Sequence, residues 1–182
     1  MASALFKVIG FYSLCLAVLG TMCNLMVFLV AFRLRHNPTF VFIAFLAIVD
    51  SLTLYIWNLD HFIGSFFGLD IEYDSLVGCK LGNFLQYVTL KSSSWLLVAL
   101  SFDRYLQIRV QNWRKLYFGP SRAFIACICI LVLLCLVDLN IFFTFGYYET
   151  APNATFTNAC FSSYNPNLRW MVIWSYVSFI SS

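Results

Sequence analysis

Long apolar windows with few charged residues alternate with short polar connections along the chain. Four windows cover residues 8–32, 39–59, 81–108 and 123–145, and a fifth covers residues 170–182. A helix needs about 20 apolar residues to cross about 30 Å of hydrocarbon, and each of the first four windows is long enough. Strands of a membrane β-barrel are about 10 residues long and half polar. The pattern therefore predicts an all-α membrane protein, a transmembrane helix bundle with four full spans.

The fifth window, Trp170–Ser182, is 13 residues long and too short to span a bilayer. The sequence ends inside this apolar stretch with neither a polar stop nor a basic flank after it, so we expect a truncated fifth span and a fragment of a longer protein. The alternative is a four-span protein with a short interfacial tail. Lys7 precedes an apolar run that is much longer than the core of a cleavable signal peptide, so the first window is expected to remain as an anchor.

The composition also indicates that lipid surrounds much of the chain. Hydrophobic residues make up 62% of the chain and charged residues 10%, and the mean hydropathy is +0.82. A soluble domain has about 45–50% apolar and about 25% charged residues. These values exclude an ordinary soluble globule and a disordered chain. The net charge of +3 does not indicate a nucleic-acid partner, because the basic residues are sorted by loop.

Two of the four connections hold seven of the eleven lysines and arginines. The positive-inside rule places these two connections in the cytoplasm and the N-terminus outside. The sequon Asn153-Ala154-Thr155 then falls in an outer loop, where Asn153 is a candidate for glycosylation. The basic connections contain Arg33, Arg35 and His36, and Arg104, Arg109, Arg114, Lys115 and Arg122; the outer ones contain Asp60, Asp70, Glu72, Asp74 and Glu149.

Five of the seven cysteines lie inside apolar windows, where a thiol behaves as a small apolar group. Only Cys79 and Cys160 lie outside them, and both fall on the predicted outer face. Because the outer face is oxidising, we expect a disulfide between the second outer loop and the top of the third helix. The alternative is two free thiols.

Polar residues inside the windows are candidates for function, because an ionisable group at membrane depth costs about 2.5–3.5 kcal/mol. Asp50 lies in the middle of the second window and must face the helix bundle. Asn24 lies in the middle of the first window and can donate a hydrogen bond across to Asp50. The alternative for both residues is that they only hold helices together.

The triplet Asp103-Arg104-Tyr105 ends the third window. It resembles the motif that closes the third helix of rhodopsin-like (class A) G-protein-coupled receptors. Other family marks follow in order: Asn24 in Gly20-Thr21-Met22-Cys23-Asn24, Asp50 in Leu46-Ala47-Ile48-Val49-Asp50, Cys79 at 25 residues before Arg104, and Cys160 in the second outer loop. The resemblance implies helices one to four and the start of helix five of a seven-helix receptor, multi-pass in the plasma membrane with an extracellular N-terminus.

Two features depart from the family pattern. The fourth window has no tryptophan, and the six residues that follow the triplet, Leu106-Gln107-Ile108-Arg109-Val110-Gln111, contain no proline. Because of these two departures, the resemblance identifies the family but does not determine the exact contact with the G protein.

The resemblance also implies a signalling mechanism. An outer ligand would favour a helix rearrangement that opens an inner cleft for a heterotrimeric G protein. Asp103, Arg104 and Tyr105 would form the switch, with Asp103 paired to Arg104 at rest and Arg104 released towards the G protein on activation. The alternative is an interfacial anchor pair at a helix end.

By the same resemblance, Asp50 and Ser93 would supply half of a sodium site, because a hard cation prefers oxygen ligands. With Asn24 they would form an intramembrane polar network. No other cofactor is expected.

We expect a ligand pocket that contains Gln86, Tyr87, Lys91 and Asp138, of which the resemblance singles out Gln86. Receptors for biogenic amines carry an aspartate at the position of Gln86 to pair with the ammonium group, so a neutral glutamine argues against an amine. The acidic outer loop can attract a basic peptide at long range, and a peptide is the expected ligand. Alternatively, that loop only repels anionic surfaces.

Lys91 and Asp138 match no motif of the family. Lys91 lies twelve residues after Cys79, about 18 Å along its helix, and Asp138 lies seven residues before Phe145, about 10 Å along the next. A lysine side chain can cover much of the remaining gap, and each lone charge is costly in hydrocarbon. We therefore predict an ion pair linking the third and fourth helices. In the alternative, Asp138 is protonated and bonds to Asn140 or a backbone carbonyl, while Lys91 reaches pocket water.

Two other classes of membrane protein compete with the receptor. Half of a secondary transporter could use Asp50, Lys91 and Asp138 as intramembrane charges, but no helix is interrupted by Gly or Pro at mid-depth. A four-span scaffold would have no use for the triplet or for Asp50. An enzyme is not expected, because His36 and His61 lie near span ends without a nucleophile or metal ligand at useful spacing.

Overall fold

The computed structural model describes residues 2–68, 75–110, 118–150 and 156–162 of the chain. Four long helices dominate it, and the expected all-α class is confirmed. The helices are α1 (Ala2–Arg33), α2 (Pro38–Phe67), α3 (Leu76–Arg109) and α4 (Pro120–Asp138). A short helix α5 (Ile141–Thr144) and an antiparallel hairpin of β1 (Phe145–Thr150) and β2 (Phe156–Ser162) follow.

Three segments in the described part of the chain are long and apolar enough to cross a membrane: Lys7–Arg33, Pro38–Phe67 and Pro120–Phe143. Helix α3 has 34 residues, but its sequence is less apolar than that of the other three. The helices also differ from the predicted windows in their ends. Helix α2 continues to Phe67, whereas α4 ends at Asp138, and the predicted fifth span, 170–182, lies outside the described residues.

Local sequence signals explain the helix ends. Prolines occupy the first turns of α2 and α4, where the missing N–H costs no hydrogen bond. Ser75 caps α3, and its hydroxyl accepts a hydrogen bond from the N–H of Gly78 at 3.4 Å. Gly68 ends α2 with a φ of 65°, a left-handed conformation that glycine adopts without steric cost.

The core lies where α2, α3 and α4 meet. Helix α2 contacts α1, α3 and α4, and α3 also contacts α4. The buried apolar cluster at this junction contains Phe42, Val49, Leu96, Ala123 and Cys127. Most large apolar side chains of α1 are exposed in the isolated chain, as expected for a helix that faces lipid.

Two glycines allow α1 to approach α2 closely. A Cβ atom at Gly10 would lie 2.7 Å from Cβ of Ser65, an atom next to the backbone that cannot move away without moving α2. A Cβ atom at Gly20 would meet Cδ1 of Leu54, the end of a flexible side chain. The contact at Gly10 is therefore the rigid one.

We expect Gly10→Ala to destabilise the bundle by about 1–3 kcal/mol, because overpacking outweighs the gain of about 1 kcal/mol that alanine brings to a helix. The measurement is thermal unfolding of the detergent-solubilised protein by far-ultraviolet circular dichroism. Gly20→Ala should cost less, since Leu54 can rotate. Gly119→Ala is the matched control, because nothing lies within 4 Å of that position. An unfolding temperature raised by Gly10→Ala would contradict the close approach.

Candidate functional site

A disulfide fastens the hairpin to the N-terminal end of α3. Cys79 lies in the first turn of α3 and Cys160 on β2, their Cα atoms are 5.7 Å apart, and both residues are buried. The distance is within the usual range of about 4.4–6.8 Å. Asn83, one turn further along α3, donates from Nδ2 to the Cys79 carbonyl oxygen at 2.9 Å. The predicted bridge between these two cysteines is confirmed.

A second contact at this end was not predicted. Nζ of Lys80 donates a hydrogen bond to the Phe142 carbonyl oxygen at 2.8 Å, which joins α3 to α5. The rings of Phe84 and Phe142 pack next to it, with centroids 5.0 Å apart. The chain that leads from α4 into the hairpin is therefore held to α3 by polar and aromatic contacts as well as by the disulfide.

Lys91 and Asp138 form a buried ion pair between α3 and α4. Nζ of Lys91 lies 2.6 Å from Oδ1 of Asp138, and the two side chains are 5% and 3% exposed. The ammonium group also lies 5.5 Å from the centroid of the Tyr87 ring, within range of a cation–π interaction. The structure confirms the predicted contact and brings three of the four predicted pocket residues together.

The position of Asp138 in the fold explains why its carboxylate needs the ammonium group of Lys91. Asp138 is the last residue of α4, seven residues before the predicted end of the window, so its carboxylate faces the negative end of the helix dipole. Its Oδ2 atom is buried without a hydrogen-bond partner in the described part of the chain. A buried carboxylate in this position is costly unless a cation compensates it, and Lys91 is that cation.

The fourth predicted pocket residue, Gln86, lies half-buried one position before Tyr87 on α3. Its carbonyl oxygen accepts a hydrogen bond from the Thr89 hydroxyl at 3.2 Å. The candidate glycosylation site, Asn153, lies outside the described residues.

Asp50 and Ser93 are in contact in the middle of the bundle. The Ser93 hydroxyl donates to Oδ1 of Asp50 at 2.6 Å, which joins α2 to α3. Asn24 is half-buried on α1, and in the described ranges no hydrogen bond joins it to Asp50. The expected bond across to Asn24 is therefore absent, and the described polar network contains Asp50 and Ser93.

The expected ion pair between Asp103 and Arg104 is not formed. Asp103 is 3% exposed and faces α2, where the Thr39 hydroxyl donates to its Oδ2 at 3.3 Å. The amide of Gln107, one turn further along α3, donates to the same oxygen. Arg104 and Tyr105 are exposed. The expectation was wrong because adjacent residues on a helix point in different directions, whereas residues four apart share a face.

The chain was compared with known proteins. Residues 22–182 match the family model described as 7 transmembrane receptor (rhodopsin family). The chain belongs to this family. It covers part of a seven-transmembrane receptor domain, as the resemblance implied, and the family is non-enzymatic. Because the chain belongs to the receptor family, the alternatives of a transporter half and a four-span scaffold are rejected.

Individual relatives are receptors of 32–33% identity. Neuropeptide receptor 18 of Caenorhabditis elegans is 32% identical over 69% of this chain and 29% of the relative. C-X-C chemokine receptor type 3 of Bos taurus is 32% identical over 79% of this chain and 39% of the relative. Thyrotropin-releasing hormone receptor of Mus musculus is 33% identical over 50% of this chain and 23% of the relative. The chain thus spans less than two fifths of the length of these curated relatives.

A double-mutant cycle tests the ion pair of this receptor. Lys91→Met and Asp138→Leu should each lower stability by about 3–5 kcal/mol, because each leaves an uncompensated buried charge. The double variant should recover most of the loss, since both charges are gone. Surface expression and the unfolding temperature in detergent measure the effect.

Lys80→Met provides the control for this cycle. Its ammonium group binds a backbone carbonyl and not a carboxylate. Asp138→Leu should therefore not rescue Lys80→Met, and the two losses should add. Additive losses for Lys91→Met and Asp138→Leu would instead contradict the pair as the reason for both residues.

Proposed function

We propose that this chain belongs to a receptor that binds an extracellular peptide and signals to a cytoplasmic heterotrimeric G protein. The proposal rests on the family match together with the residues that lie at the two ends of α3. Cys79 fastens the hairpin at one end, and Asp103, Arg104 and Tyr105 lie near the other. The 25 residues from Cys79 to Arg104 correspond to about 38 Å of helix, enough to connect the two sides of a bilayer.

The proposed orientation places the N-terminus and the hairpin outside the plasma membrane. The sorting of arginine and lysine supports it, as does a disulfide at the end of α3 opposite to the basic loops. Asn153 lies between the two strands in sequence and would be on the glycosylated side.

Three features support a peptide ligand. The relatives include receptors named for a neuropeptide, for thyrotropin-releasing hormone and for C-X-C chemokines. The pocket has Gln86 where an amine receptor would have an aspartate. The carboxylate of Asp138, the nearby acidic group, is compensated by Lys91 and is therefore a poor partner for a ligand ammonium group.

Arg104 is the residue we assign to the G-protein contact. Its side chain is exposed at the inner end of α3, and a guanidinium group has five donors for carbonyl or carboxylate oxygens. The bond from Thr39 to Asp103 joins α2 to α3 next to it. In the proposed mechanism, the ligand favours a helix arrangement in which this end of the bundle opens to the G protein.

The test uses the complete reading frame that contains this chain, expressed in cells with a G-protein activation sensor. Pools of neuropeptides and chemokines are applied beside a panel of biogenic amines, and we expect a response to a peptide. Arg104→Gln should lower peptide-dependent activation about tenfold or more with peptide binding retained, because charge-assisted hydrogen bonds contribute about 1.5–3 kcal/mol. Arg109→Gln removes the same charge from the exposed last turn of α3 and is the control. A response to amines alone would contradict the proposed ligand class.

We also propose that Asp50 and Ser93 contribute two oxygen ligands to a sodium ion. Both are half-buried, and their oxygens are 2.6 Å apart, an arrangement of hard donors that fits such a cation. Bound sodium would compensate the Asp50 carboxylate and favour the helix arrangement that holds it.

Sodium chloride should therefore raise the unfolding temperature of the protein relative to choline chloride of equal ionic strength. Asp50→Asn should remove this difference, since it removes the charged ligand. Asp103→Asn removes a carboxylate from the same bundle outside the proposed site, so it should retain the difference. Equal unfolding temperatures of the unmodified protein in the two salts would contradict the sodium site.

A further inference from the structure

Two cavities adjoin at the end of the bundle that carries the basic loops. One has a volume of about 450 Å³ and lies between the connection after α1 and the start of α4. The other, of about 670 Å³, is a groove along α1, α2 and α4. They share His36, Phe40 and Pro120, so that they form one continuous depression. We call the first the head cavity and the second the tail groove.

The head cavity has polar and basic side chains in an otherwise apolar lining. Arg33, His36 and Asn37 line it, and Oδ1 of Asn37 is buried without a hydrogen-bond partner in the described part of the chain. Arg35 lines the same end of the tail groove, and its guanidinium carbon lies 4.7 Å from the centroid of the Phe32 ring. None of the described residues that line either cavity is acidic. An anionic group is therefore the complementary occupant of this end.

The tail groove is apolar away from that end and faces outward from the bundle. Phe32 and Ile48 are 50% and 45% exposed, and Phe124 and Ile125 on α4 are 52% and 60% exposed. Ala44 of α2 also lines it. These side chains lie in segments long and apolar enough to cross the membrane, so hydrocarbon is the medium that covers them.

We propose that this depression binds an anionic glycerophospholipid of the cytoplasmic leaflet. The phosphate lies against Arg33 and Arg35, and one acyl chain fills the tail groove. The leaflet assignment rests on the proposed orientation of the chain. Cytoplasmic leaflets are rich in anionic lipid, and basic residues at the membrane surface attract it. Such a lipid would connect the ends of α1, α2 and α4 on the side where the G protein is proposed to bind.

The experiment reconstitutes the full chain in nanodiscs that contain equal amounts of phosphatidylcholine and phosphatidylserine. Native mass spectrometry then counts the lipids retained by the released protein. Because both leaflets have the same composition, the result does not depend on the orientation or on G-protein coupling. We expect one retained phosphatidylserine in preference to phosphatidylcholine. Arg35→Gln should lower this preference about fivefold, the factor expected for one basic residue near a charged lipid surface.

Arg109→Gln is the matched control, because it removes one exposed charge at the same end of the bundle and lines neither cavity. It should leave the preference unchanged. Ala44→Phe should lower retention of the lipid by filling the tail groove, and far-ultraviolet circular dichroism reports whether each variant is folded. Equal retention of the two lipids, or an equal loss in Arg35→Gln and Arg109→Gln, would overturn the proposal. Displacement of phosphatidylserine by added cholesterol, or retention of a second copy of the chain, would also overturn it.

Discussion

Polar side chains within the membrane spans must find their partners inside the protein, because hydrocarbon offers none. Many of the small hydroxyl groups are satisfied within their own helices. Hydroxyl groups of several serines and threonines donate to the carbonyl oxygen four residues earlier, as Ser51 does to Ala47 at 2.8 Å and Ser92 to Val88 at 2.6 Å. The carboxylates cannot be satisfied in this way, since they need donors or cations. They are therefore the groups that dictate how the helices are arranged.

Each of these carboxylates forms a contact between α3 and a neighbouring helix. Asp50 of α2 accepts from Ser93, Asp138 of α4 binds Lys91, and Asp103 of α3 accepts from Thr39 of α2. Helix α3 thus has polar contacts on two sides and the disulfide at its outer end. This explains why it is the least apolar of the four long helices. A helix surrounded by others can carry more polar residues than a helix that faces lipid.

A contact can be predicted from the sequence when one pairing of side chains has a much lower free energy than the alternatives. A lysine and an aspartate in neighbouring spans have few partners, and two cysteines on the outer face have one another. The sequence fails where the deciding factor is local geometry. Asp103 and Arg104 are adjacent in sequence, but the helix turns their side chains to different faces. Lys80 binds a backbone carbonyl, which no residue type reveals. The hairpin was missed because its aromatic and β-branched residues, a signal for strands, follow directly on the fourth apolar window.

The contacts of α3 are stronger near its N-terminal end than near its C-terminal end, and this difference bears on the proposed signalling mechanism. In the N-terminal half of α3, a disulfide joins the helix to the hairpin, Lys80 binds α5, and the ion pair of Lys91 joins α3 to α4. Near the C-terminal end of α3, the Thr39 hydroxyl of α2 donates a hydrogen bond of 3.3 Å to Asp103. A hydrogen bond to a charged carboxylate contributes about 1.5–3 kcal/mol, whereas breaking a buried ion pair costs about 3–5 kcal/mol. In the proposed mechanism, a ligand at the outer end therefore acts on the more strongly held part of α3, and the rearrangement that requires less energy lies at the inner end, next to Arg104.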